Sequence, residues 1–263
     1  MTPQLNSQVE EYKKFDGRNA EQMPLLLAGK DKEGREIDVP RVPVWTARIM
    51  GKRIDISGQL PGVIDNCFST SDLGVCDSRK RSDKTKVILT VDAQGKITEN
   101  GRKALELINP TAKFVEGAVD LGDKYDELEG IEIPISQVDK IGDWLTEEET
   151  LNNKVWRILA RHPNEVPKKF AEDEKLLGEY VSFIFRQAKK RFDYEKNMRA
   201  YPDLVSDSAQ LRSWFVSSLK FGSDVLGGYS LNNRHGHLIG LAPEVQIFAP
   251  TSQLETQVQS ALN

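Results

Sequence analysis

His235 and His237 stand two residues apart in the run Arg234-His235-Gly236-His237. On an extended strand alternate side chains share a face, so the two imidazoles would point the same way and could chelate a metal. Two ligands do not make a site. The remaining histidine, His162, lies far off in sequence, and carboxylates would have to complete the set. The run therefore reads as a polar turn, with Asn232 and Asn233 serving its backbone geometry.

Asp193 and the Glu195-Lys196 pair have the residue types of a carboxylate-and-lysine nuclease centre. They fall in a stretch that reads as helix, whereas that chemistry draws its carboxylates from strands. Cys67 and Cys76 are too widely spaced for a zinc or redox CxxC pair and read as free thiols. Asp120, Asp123 and Asp126 recur every third residue, not at the alternate positions of a calcium loop, and read as a solvated turn. The sequence contains no GxGxxG, GxxxxGK[ST], HExxH or GxSxG pattern. No catalytic residue, metal ligand, cofactor or small-molecule substrate is assigned.

Charge is the remaining chemical signal. The chain holds 36 Lys and Arg against 40 Asp and Glu, a net −4. Up to Asn153 there are 21 bases and 28 acids; from Lys154 to Gly240 there are 15 and 10. A basic middle can steer an anionic partner. Arg186, Lys189, Lys190 and Arg191 cluster on one helical stretch, and Arg79, Lys80, Arg81, Lys84 and Lys86 on a loop at 65–86. Asp193 and Glu195 can neutralise part of the first cluster.

The elements that must position these groups follow from periodicity. Residues 6–15 read as a short amphipathic helix. VPVWTARIM and RIDIS, around Gly51-Lys52, read as two strands within 36–57. Residues 58–85 read as a long loop. KVILTV (86–91), a turn at 92–95 and KIT make a second hairpin, 99–109 a helix, and KFVEGAV (113–119) and IEIPI (131–135) further strands.

Beyond residue 139 the pattern turns helical. Thr146 with Glu149 forms a capping box. Glu172–Arg199 reads as a helix of 28 residues whose inner face is Leu177, Tyr180, Val181, Ile184, Ala188 and Phe192. A third helix is expected over Asp207–Lys220, then a β-hairpin at 224–248 and a last helix at 251–262. Three helices and a hairpin give the element order of a winged helix, in which Gln210, Arg212, Ser213, Ser217 and Lys220 would face nucleic acid and Arg234 and His235 would sit at the wing tip. The second helix is too long for a compact member of that class. The four tryptophans, Trp45, Trp144, Trp156 and Trp214, each lie in apolar surroundings and read as core or interface anchors.

These readings define an α+β fold. A β-rich N-terminal part with a short helix, an antiparallel sheet or small barrel, covers 1–137. A mainly helical part with the hairpin and a terminal helix covers 138–263; no flexible linker separates the two, so one integrated unit is the alternative to two domains. Charged residues throughout 1–30 and the absence of an apolar run of roughly 18–20 residues argue against a secretory leader or membrane span and for a cytoplasmic protein.

The function expected is non-enzymatic binding or assembly, as a structural or interaction protein within a larger complex, with a protein partner or self-association. The alternative is nucleic-acid binding through Arg186, Lys189, Lys190, Arg212, Lys220 and Arg234. The third is a metal-dependent hydrolase or nuclease.

Overall fold

The computed structural model describes residues 12–15, 17–31, 33–37, 40–56, 63–77, 84–134, 136, 141–202, 208–232 and 237–241. One mixed sheet of eleven strands organises them. In chain order these are β1 Tyr12–Phe15, β2 Val42–Pro43, β3 Phe68–Cys76, β4 Lys84–Ile88, β5 Phe114–Val115 and β6 Ala118–Gly122, then β7 Ile131–Pro134, β8 Ala200–Tyr201, β9 Ala209–Val216, β10 Val225–Tyr229 and β11 His237–Leu241. Six α-helices lie among the described residues: α1 Asn19–Leu27, α2 Thr46–Ile56, α3 Glu99–Glu106, α4 Glu147–Asn152, α5 Lys154–Leu159 and α6 Leu176–Phe192.

The antiparallel pair β3 and β9 is the spine. Along β3, β11 pairs in parallel at Phe68 and Ser69, while β4 pairs antiparallel from Leu73 to Cys76. Along β9, β10 takes Ser213 to Val216 and β6 takes Ala209 to Leu211. The outer members are β1 and β2 on β11, β7 on β4, β5 on β6, and β8 parallel to β10. Strands from before and after residue 137 thus interleave in one sheet.

Alternation along the spine feeds two apolar layers. Leu73, Val75, Ala209 and Leu211 pack with Met23 and Leu26 of α1 and Leu105 of α3. Phe68, Trp214 and Val216 pack with Met50 of α2, Trp156 of α5 and Tyr180 and Ile184 of α6. A side chain of this size contributes about 1.5–3 kcal/mol when fully buried, so these two layers carry most of the stability.

Several expectations are corrected. The described strands and helices do not segregate into a β-rich half and a mainly helical half; the mixed sheet draws on both. The region 58–85 contains β3, the most central strand, with every residue buried. Its run Ser-Thr-Ser-Asp resembles a loop, but hydrogen bonds satisfy much of it: Thr70 Oγ1 donates to the Trp214 carbonyl at 2.9 Å, and Ser213 Oγ to the Thr70 carbonyl at 2.6 Å. The hairpin expected at 36–57 is instead the short β2 followed by α2, whose first turn is capped from β3 by Asp72, Oδ2 accepting from Thr46 N at 2.8 Å. Tyr12–Phe15 is a strand, not the end of a helix.

Asp207–Lys220 holds β9 in place of a third helix. Both faces of β9 are buried, which removes the polar–apolar alternation that would have marked it as a strand. β10 and β11 exist within 224–248 but do not pair with each other; β9 and β3 lie between them. The winged-helix order is thereby excluded.

The long helix ends at Phe192, where Asp193 turns left-handed. The helix before it divides into α4 and α5 at Asn153, whose side chain caps Val155 and Trp156. The capping box at Thr146 and Glu149 is present, as are the helix at 99–106, the strands at 84–88 and 131–134, and the inner face of α6 through Leu177, Tyr180, Val181, Ile184 and Ala188. The last helix at 251–262 lies outside the described residues.

Candidate binding site

Exposed large hydrophobic side chains are few, and they gather in one place. Trp144, Tyr194, Tyr201 and Phe221 are 41, 39, 48 and 59% exposed, and they are the four such residues among those described. Trp144, Tyr194 and Phe221 line one open groove of about 550 Å³, with Asp193, Glu195, Lys196, Arg199 and Lys220. Tyr201 adjoins it, packed against Gly142 two residues before Trp144.

Three segments build the groove, and backbone hydrogen bonds lock them together. Leu145 and Asn197 exchange both bonds, at 3.0 and 2.8 Å. Gly142 N donates to the Ala200 carbonyl at 3.3 Å, and Met198 N to the Gly222 carbonyl at 2.9 Å. From the core, Trp156 Nε1 holds the Met198 carbonyl at 2.9 Å. Asp193 on the wall, and Met198 and Ser223 buried in the chain segments behind it, are three of the five described non-glycine residues with left-handed φ. Such backbone costs about 1–3 kcal/mol per residue and persists where the surroundings over-determine it, often at sites of function.

Trp144 is held firmly although exposed. The Arg199 guanidinium lies 4.1 Å from the ring centroid, a cation–π distance. Arg199 is itself fixed by Asp224, with Nε and Nη2 donating to Oδ2 at 2.9 and 2.6 Å and the Arg199 backbone N to Oδ1 at 2.9 Å. Burial pushes the Asp224 carboxyl above the usual carboxylate range, and Arg199 pulls it back. Gly222, at φ +92°, passes so close that a Cβ there would lie 2.2 Å from the indole.

Asp193 and Glu195 both face one ammonium group, Lys189 Nζ, at 2.7 and 3.5 Å. They stand beyond the end of α6, not within a helix, and among the described residues no cluster of His, Cys, Asp and Glu could hold a metal ion. Lys196 and Lys220 have no ion-pair partner among the described residues.

The basic residues expected to form one face are dispersed. Arg186, Lys189 and Lys190 lie exposed on α6, with Lys189 paired as above, and the neighbouring Arg191 reaches Asp65 at 2.8 Å. Arg212 lies in β9, buried, donating to the Glu116 carbonyl at 3.0 Å and to Gln210 Oε1 at 3.1 Å. Lys220 lines the groove, in the 3-10 turn Leu219–Phe221 that packs against α6, and Arg234 lies outside the described residues. In the basic loop, Lys84 pairs with Glu132 at 3.1 Å, and Lys86 is buried, donating to the Tyr125 and Leu128 carbonyls at 2.8 Å each. His237 packs edge-on against Phe68, while His162 lies beside Arg157 and accepts from Asn164 N; His235 is outside the described residues. Neither Cys67 nor Cys76 forms a disulfide among the described residues, and Cys67 Sγ accepts from Ser218 N at 3.3 Å.

A second cleft of about 200 Å³ lies beside α2, lined by Trp45, Arg48, Lys52, Asp55, Glu172 and Asp173 among others. Glu172 is half-buried, and that burial raises its pKa against the opposing pull of Arg161 and of the Trp45 Nε1 hydrogen bond at 3.3 Å. Its acids and bases are interleaved, with no preference for one sign of ligand.

Sequence pattern reached none of the groove aromatics as a set. Trp144 precedes a capping box, Tyr194 follows a helix end and Phe221 sits in a short 3-10 turn, so only the tertiary fold brings them together.

No family model matches the sequence, and no curated protein matches it. A solved structure from work on the accommodation of massive sequence variation in Nanoarchaeota by the C-type lectin fold resembles the chain with a TM-score of 0.48 and 13% identity. The similarity covers 76% of this chain and 87% of that one. Among the described residues, no helix is long and apolar enough to cross a membrane.

Proposed function

We propose that the protein is a non-enzymatic binding protein that receives a protein partner in the groove around Trp144. The observation that carries this reading is that three of the four exposed large hydrophobic residues of the described chain line one groove, with the fourth, Tyr201, beside it. Isolated exposed apolar residues are ordinary, whereas a gathered aromatic set rimmed by charge has the composition of an interaction site. Trp and Tyr dominate binding energies because they bury large areas with few rotatable bonds. A ring already fixed by Arg199 and Gly222 loses little further freedom on binding. Arg212, buried inside the sheet and donating to the Glu116 carbonyl, offers no charge to a phosphate backbone, which favours the protein-partner reading.

A displayed library of random short peptides selected on the wild-type protein tests this. Enriched peptides should lose at least about tenfold in affinity for the Trp144→Ala and Phe221→Ala variants, the scale of one hot-spot residue. Peptides that bind the wild type and both variants equally would place the contact elsewhere and overturn the reading.

A further inference from the structure

We infer that the segment received by the groove is acidic as well as apolar: a protein strand or loop that lays an aromatic or aliphatic side chain against Trp144 and Phe221 and brings carboxylates to Lys196 and Lys220. This rests on the binding role proposed above and names the chemistry of its partner.

The argument is one of charge left over. Five charged side chains line the groove. Asp193 and Glu195 are engaged by Lys189 from the last turn of α6. Arg199 is engaged by Asp224. Lys196 and Lys220 remain, exposed, and neither has a counter-ion among the described residues. Asp143, adjacent in sequence to Trp144, is exposed but does not line the groove.

The charge open to a partner inside the groove is therefore positive, on two flexible side chains flanking an aromatic floor. A partner carboxylate would meet an ammonium group there without breaking an existing pair. A partner cation would meet Lys196 and Lys220 as like charges; Asp193 and Glu195 share the single Lys189 ammonium, so the groove groups together with Lys189 and Asp224 sum to one net positive charge. Desolvated between aromatic rings, such a pair gains more than it would on open surface.

The test uses the full-length protein and fluorescent short peptides that share a central Trp-Leu core, flanked by Asp and Glu, by Asn and Gln, or by Lys. The acidic set should bind about tenfold more tightly than the amide set, and the Lys set should bind most weakly. The Lys196→Glu/Lys220→Glu variant should reverse that order, and added salt should erase it. Light scattering is run in parallel.

If all three sets bind alike yet lose affinity in Trp144→Ala, the groove is a contact site and the acidic preference is wrong. If none responds to Trp144→Ala, the groove reading fails along with it. If the protein dimerises and Trp144→Ala abolishes the dimer, the occupant is a second copy of this chain, and the acidic partner is again wrong.

Discussion

Arg161 Nη2 donates to Asp72 Oδ1 at 3.3 Å, and both side chains are completely buried. The same carboxylate caps α2 through Thr46 N, so one acid of the central strand ties the sheet, the start of α2 and the residue just beyond α5 together. The Arg161 guanidinium lies between aromatic neighbours, 5.1 Å from the Trp45 ring and 5.9 Å from that of Phe170. Removing either charge leaves the other buried and unpaired. Asp72→Ala and Arg161→Ala should each lower stability by about 3–5 kcal/mol in urea unfolding. The double variant Asp72→Ala/Arg161→Ala should lose less than the sum of the two, because no unpaired charge remains. Additive losses would mean that the two residues act independently.

Trp144 and Trp156 should separate in the same measurement. Trp156 is fully buried in the core between α5 and α6, and Trp156→Ala should cost about 3–5 kcal/mol. Trp144 is 41% exposed, and its chief contact is the Arg199 cation. Its removal should cost about 1 kcal/mol or less. A loss for Trp144→Ala matching that of Trp156→Ala would mark the ring as a structural support and weaken its role as a contact residue.

The β5–β6 hairpin should be acid-sensitive. Lys113 Nζ donates to Asp120, and Gly122 N donates to Asp120 Oδ1 at 3.0 Å, which together hold the carboxyl at about 2 against an ordinary 3.8. A carboxyl with a lowered pKa stabilises the fold above its unfolded value and loses that contribution as pH falls through the folded value. The stability difference between wild type and Asp120→Asn should therefore be constant above about pH 5 and shrink between about pH 4 and 2. A difference unchanged across that range would show that the Lys113 pairing contributes nothing to folding.

What could be read from the residues depended on whether the signal was local. The capping box at Thr146, the inner face of α6 and the helix at 99–106 are written in neighbouring residues, and they stand as expected. β3 and β9 share one reason for being illegible: they are covered on both faces, so they lack alternation, and polar residues such as Thr70 find partners far away in sequence, here the Trp214 carbonyl. α2 was misread because Val, Ile, Trp and Thr favour strands in isolation, while Asp72, a residue of another strand, supplies its cap. Of the basic residues expected to meet nucleic acid, Lys220 lines the groove, and Arg212 is a core residue whose charge gave no hint of burial.

The placement of β11 sets the order in which this molecule can be completed. That strand slots between β1 and β3, antiparallel to one and parallel to the other, so residues 12–15 gain their partner only when residues 237–241 arrive. Long-range parallel pairing closes slowly, because the chain entropy is lost before the contact repays it. During synthesis β1 and the Phe68–Ser69 end of β3 must therefore wait for β11 until nearly all the described chain has been made, while β4 already covers Leu73–Cys76, and that uncovered end is where another chain could pair by mistake. Aggregation in this protein is thus a hazard of timing, concentrated before the last strand docks.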